Sequence, residues 1–247
     1  MSAGVIAVTF AALATALATG LGAVPFVFVR DMSRRWLGVS NAIAAGIMLS
    51  ASGALVIEGL IRGIGRVLAG AAVGAVFIAA TRKVLAGRDD VHFGRLETHD
   101  AKKAILIVTV MTLHSFAEGV GVGVSYGGGI ELGIVITIAI AIHNIPEGLA
   151  ISLVLVPRGT PVLSAAGWSI FSSLPQPLVA PLAYLFVEEF GPFLPVGLGF
   201  AGGAMVWLVL AELLPDARAE LDTGSLVRWL GGSLVLMSAL QAVLLGH

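Results

Sequence analysis

The chain of 247 residues contains no cysteine. Disulfides are therefore excluded, as are thiolate metal sites and a soft copper(I) centre built on them. Charge is scarce: Asp, Glu, Lys and Arg make up 12% of residues, about half the ~25% of a soluble domain. With 57% hydrophobic residues and a mean hydropathy of +1.00, too little polar surface remains to keep a folded domain dissolved. No Lys or Arg precedes Arg30. The first apolar run thus lacks the basic flank of a secretory leader and is expected to be a retained spanning helix. Two metalloenzyme spacings are missing as well: H-E-x-x-H is absent, and E-x-x-H is absent from the apolar runs. They are the usual marks of a zinc protease and a di-iron bundle.

What the chain does have is a succession of apolar runs near the ~20 residues that a bilayer-crossing helix needs. Eight are expected, at 4–29, 38–60, 65–82, 103–125, 130–156, 162–187, 193–214 and 225–245. The fold class is therefore all-α, a polytopic membrane protein. Twelve of the fourteen basic residues fall in the odd-numbered loops: Arg30, Arg34 and Arg35, then the six from Arg82 to Lys103, then Arg158, Arg218 and Arg228. Only Arg62 and Arg66 fall in the even ones. Basic loops stay cytoplasmic, which puts both termini outside, in the cell (inner or plasma) membrane. The whole of 1–247 reads as one transmembrane domain. Its longest connection, 82–103, reads as a cytoplasmic loop whose two histidines, His92 and His99, are too sparse to argue for metal handling.

Two stretches in the middle of the chain echo each other: His114-Ser115-Phe116-Ala117-Glu118-Gly119 and His143-Asn144-Ile145-Pro146-Glu147-Gly148. On a helix, residues four apart share a face, so each stretch presents an imidazole and a carboxylate one turn apart. The intervening Ser125-Tyr126-Gly127-Gly128-Gly129 is short, which makes the two helices antiparallel neighbours. A metal site is thereby expected between helices four and five, with His114, Glu118, His143 and Glu147 as ligands. Imidazole nitrogen with carboxylate oxygen suits zinc and its first-row neighbours. An ionisable group at the bilayer centre costs about 2.5–3.5 kcal/mol on insertion scales, and a repeated spacing on adjacent helices is not what incidental polar contacts produce. The competing reading is a structural clasp of His–Glu hydrogen bonds between helices.

Neighbouring residues extend the site. Ser115 and Asn144 follow the two histidines and could give an oxygen to a second ion or hydrogen-bond across helices. Gln176, in Leu174-Pro175-Gln176-Pro177, could line the same cavity. Pro146 lacks an N–H and opposes the carbonyl of Ile142, so a kink is expected between His143 and Glu147.

These residues carry a resemblance. H-S-F-A-E-G followed by H-N-I-P-E-G, on the fourth and fifth of eight spans, resembles the ZIP (Zrt- and Irt-like) family of divalent metal transporters, in particular its prokaryotic GufA-type branch. Ala45-Gly46-Ile47-Met48-Leu49-Ser50 and Glu212-Leu213-Leu214-Pro215 also look like family sequence. The resemblance implies transport-site ligands at His114, Glu118, His143 and Glu147, with Ser115 and Asn144 at positions that serve a second metal in some members. The sequence departs from the family pattern at Ser115, usually Asn, at Ala117, often Pro, and at Gln176, usually Glu. The loss of that last carboxylate bears on any two-metal centre. The resemblance further implies a homodimer in lipid, two bundles moving against each other, and uptake of zinc, or of iron, manganese or cadmium, toward the cytoplasm. The metal is then substrate, with no cofactor expected, no catalysis and no nucleic-acid partner. The alternatives are a membrane-embedded His/Glu metalloenzyme and the structural clasp.

Overall fold

The computed structural model describes residues 3–29, 33–86 and 98–245. The expectations that rest on Arg30, Arg88, His92 and Arg95 lie outside the described residues. Every described element is helical. In chain order they are α1 (Ala3–Gly20), α2 (Pro25–Phe28), α3 (Arg34–Ala86), α4 (Thr98–Gly128), α5 (Ile130–Leu155), α6 (Val162–Ser172), α7 (Pro175–Glu189), α8 (Leu194–Leu208), α9 (Leu214–Glu220) and α10 (Thr223–Leu245). Six stretches among the described residues are long and apolar enough to cross a membrane: 3–28, 34–81, 130–158, 162–189, 191–220 and 223–244.

The local chemistry explains where these rods bend. Gly63 leaves helical geometry in the middle of α3, so the runs expected at 38–60 and 65–82 are two helices joined end to end. Pro175 starts α7 after a two-residue break from α6, at the Leu174-Pro175-Gln176-Pro177 segment. Ahead of Pro215 the chain widens into a π turn, Val209–Leu213. A proline cannot bond the carbonyl four residues back, and an inserted residue relieves the mismatch. Pro146 lies inside α5, whose helix runs on either side of it. Helix also extends into the expected 82–103 loop from both sides, to Ala86 and from Thr98.

The helices sort into two bundles. In one, α4 packs on α7 and α5, and α1 packs on α5 and α7. In the other, α3 packs along α8 and against α10 and α9. The second bundle is built on small residues. A Cβ at Gly70 or Gly74 of α3 would overlap the carbonyls of Val196 and Phe200, and one at Gly199 or Gly203 of α8 would overlap those of Val67 and Ala71. Two four-residue glycine spacings thus face each other backbone to backbone, which is how helices gain dispersion energy where lipid removes the hydrophobic drive. The bundles meet through α3 on α5 and α4 on α8. At that seam Ile136, Ile140, Leu198, Ala201 and Met205 form part of the apolar core, and Phe77 stacks between Phe116 and Phe200 at 5.5 and 5.6 Å.

Candidate metal centre

The α4–α5 turn sets the register of the site. Gly129 takes φ +138, a conformation that only glycine adopts without strain, and the chain reverses there within one residue. About a point between Ile130 and Glu131, Glu118 mirrors His143 and His114 mirrors Glu147. Antiparallel packing therefore brings each histidine level with the carboxylate of the other helix. The distances follow this register. His143 Nε2 lies 2.5 Å from Glu118 Oε1 and His114 Nε2 lies 2.6 Å from Glu147 Oε1, whereas the pairs within each helix are at 3.2 Å (His114–Glu118) and 3.6 Å (His143–Glu147).

One donor atom from each of the four side chains lies within 4.8 Å of all the others, and all four residues are buried. The imidazole rings stand nearly perpendicular, with centroids 5.9 Å apart. Despite the short separations, His114 Nε2, His143 Nε2, Glu118 Oε1 and Glu147 Oε1 make no hydrogen bond among the described residues. These atoms are close without being directed at one another. Two imidazole nitrogens and two carboxylate oxygens gathered this closely form a donor set for a cation. Counted along the helices at 1.5 Å per residue, the histidines lie roughly 20 Å from the turn, within the span of α4 and α5.

Each carboxylate is followed by a glycine, and each glycine admits another helix. A Cβ at Gly119 would press on the backbone of Gln176, and one at Gly148 would overlap the carbonyl of Thr19. The glycine of each H-x-x-x-E-G stretch is thus a contact requirement: Gly119 seats α7 beside Glu118, and Gly148 seats the end of α1 beside Glu147.

These two contacts surround the acids with polar groups. Gln176 donates its Nε2 to Glu118 Oε2 at 2.5 Å. Its carbonyl oxygen accepts from the Thr15 hydroxyl at 2.5 Å and from Asn144 Nδ2 at 3.3 Å. Asn144 Nδ2 also donates to the Thr15 backbone carbonyl at 2.8 Å. Below this, Thr19 and Ser173 hydroxyls pair at 2.7 Å. Ser115 Oγ and Asn144 Oδ1 are buried and make no hydrogen bond among the described residues. Of the residues singled out in the sequence, the structure brings six together: four in the cluster, with Gln176 hydrogen-bonded to Glu118 and Asn144 to Gln176; Ser115 is buried, next to His114 in sequence. Thr15 was missed. It sits in an apolar helix whose sequence neighbours are Ala14 and Ala16, and nothing local marks it.

An all-helical, multi-pass membrane protein with a buried His/Glu cluster is the class these observations define. The sequence model of the family described as ZIP zinc transporter matches residues 86–186, a range that contains both motifs and Gln176. The chain is 33% identical to zinc transporter GufA of Myxococcus xanthus over 236 residues, covering 88% of this chain and 89% of that protein. It is 32% identical to zinc transporter ZIPB of Bordetella bronchiseptica over 240 residues, covering 89% and 76%. An Arabidopsis thaliana protein, named provisionally as a zinc transporter, is 47% identical over 234 residues, and the chain spans 38% of its length. The chain belongs to the ZIP zinc transporter family.

Proposed function

We propose that the protein carries zinc across the cell membrane, toward the cytoplasm, by exposing one buried site alternately to either side. The observation that carries this reading is the convergence of the buried His114, Glu118, His143 and Glu147 within 4.8 Å on α4 and α5. Two imidazoles and two carboxylates replace the hydration shell of a divalent cation and balance its charge. The names of the bacterial relatives, which cover most of this chain, support zinc as the substrate. Iron, manganese and cadmium share the same ligand preferences in part. Ser115, Asn144 and Gln176 border the ion in this reading. Enzymatic chemistry is not part of it, since the family consists of transporters.

The topology that serves this mechanism has eight spans in one domain, 1–247, with both termini outside and the 82–103 connection in the cytoplasm. It follows from dividing α3 at Gly63 and counting α4 as a span. Cross-contacts favour it. Arg62, at the α3 break, donates to the Gly128 carbonyl at the α4–α5 turn at 3.0 Å, and Arg66 donates to the Pro192 carbonyl before α8 at 3.4 Å. The second, fourth and sixth connections therefore gather at one end. Arg34 and Glu220, from the first and seventh connections, pair at 3.6 Å elsewhere. A homodimer in lipid completes the proposal.

The test is uptake by protein reconstituted in liposomes with a trapped zinc-responsive dye. Wild type should fill the vesicles with zinc, and Glu147→Ala, still monodisperse in detergent, should not. Equal uptake by both, or none by wild type across a panel of divalent metals, would overturn the reading.

A further inference from the structure

The four ligands do not hold themselves in place. Glu118 is fully buried and carries two oxygens with different surroundings. Oε1 faces the two histidines, while Oε2 takes the amide proton of Gln176. Gln176 is buried on α7, and its carbonyl end is fixed by the Thr15 hydroxyl of α1 and, at longer range, by Asn144 of α5. This fixes which way the amide points. With Oε1 receiving two donors, Nε2 is turned to the carboxylate. Thr15 is in turn held through its own backbone carbonyl by Asn144. Its single hydroxyl proton lies between Gln176 Oε1 at 2.5 Å and the Ala12 carbonyl at 2.7 Å, so the bond to Gln176 is made at the expense of one within α1.

We propose that Thr15 and Gln176 are positioning residues that act as one unit: Thr15 orients the Gln176 amide, and the amide holds Oε2 of Glu118 so that Oε1 alone is presented to the cation. The inference rests on the four-ligand reading above. Groups that orient a ligand tune metal affinity, and their loss costs 10–100-fold. A carboxylate freed from Gln176 can rotate or chelate through both oxygens, which changes both the strength of the grip and the ease of release. The chain also explains why α1, which contributes no ligand, packs against α5 and α7 on the side where those ligands sit.

The experiment uses the full-length protein and zinc itself. Thr15→Val and Gln176→Met keep shape and length while removing the polar groups, and Thr15→Ser keeps the hydroxyl. Zinc affinity is measured in detergent by competition with a chromophoric chelator, and uptake KM and maximal rate are measured in liposomes. Thr15→Val and Gln176→Met should each weaken zinc binding by about tenfold or more, and Thr15→Ser should restore it to within a few-fold of wild type. The double variant Thr15→Val/Gln176→Met should be no weaker than Gln176→Met alone, because two members of one chain do not add. Unchanged affinity in both single variants would overturn the proposal, as would fully additive losses or no recovery in Thr15→Ser. Should Thr15→Val fail to fold, Gln176→Met and Thr15→Ser still decide it: unaltered affinity in the first, or a tenfold loss in the second, sinks the idea. Glu147→Ala separates the two readings. If it abolishes binding while Thr15→Val and Gln176→Met do not weaken it, only the positioning unit falls; if it has no effect, the four-ligand site itself is wrong.

Discussion

The two bundles are made of the same apolar alphabet but are held together differently. In the bundle of α3, α8, α9 and α10, glycine faces glycine and backbone meets backbone, with polar contacts such as those of Ser50 with Ser238 and Gln241, both at 2.9 Å. In the bundle of α1 and α4–α7, glycines again open the way, but what enters is a polar network: Thr15, Gln176 and Asn144 around two acids and two imidazoles. Close packing in lipid needs only small residues. Burying two carboxylates needs partners for every oxygen. Under the proposed function the first bundle is the frame and the second the carrier; their seam is apolar.

That contrast can be broken from either side. Glu118→Ala in the carrier bundle should reduce zinc uptake to the liposome background while leaving a monodisperse protein, the largest functional effect expected; uptake within twofold of wild type would erase the distinction. Gly203→Val in the frame should act in the opposite way. Its side chain would overlap the Ala71 backbone, and overpacking costs about 1–3 kcal/mol or more, so folded yield and thermal midpoint should drop sharply. Gly148→Ala lies between these, since the added Cβ overlaps the Thr19 carbonyl beside Glu147. It should lower both stability and zinc affinity, and a loss of one alone would show that this glycine serves a single purpose. Ser50→Ala should cost only about 0.6 kcal/mol, the average for hydrogen bonds between membrane helices, with uptake unchanged per folded molecule.

The smallest effect is expected outside the membrane. Asp222 caps α10 by accepting the Ser225 backbone N–H at 2.9 Å. The Ser225 side chain and backbone hold its carboxyl below the usual Asp range. A carboxylate with a depressed folded-state pKa stabilises above its unfolded pKa and loses that contribution as pH falls through the folded value. The thermal midpoint of Asp222→Ala should therefore fall slightly below wild type at neutral pH, and the gap should close in acid. A gap that widened on acidification would contradict the cap.

The features legible from sequence were those carried by local repetition. The two His–Glu pairs were visible because four residues make one helical turn whatever surrounds them. Their mutual approach was visible because a glycine-rich turn of a few residues leaves adjacent helices no other arrangement. Even the cross-helix register was implicit, since the two motifs sit symmetrically about that turn. Thr15 was invisible, because its importance comes from α1 lying against α5 and α7, far away in sequence. Gln176 was visible as a departure from the family pattern, but which of its amide atoms faces Glu118 was not.

Sequence alone determined that this chain lives in a bilayer and that two imidazoles and two carboxylates share the faces of neighbouring helices, because hydropathy and helical periodicity are properties of short stretches. Tertiary structure alone decided which helices enclose those faces and that the Gln176 amide is the group held by Glu118 Oε2. When nearly every face of a helix is apolar, no stripe marks the side that will be buried, and only the fit of glycine gaps to incoming backbones selects the partner.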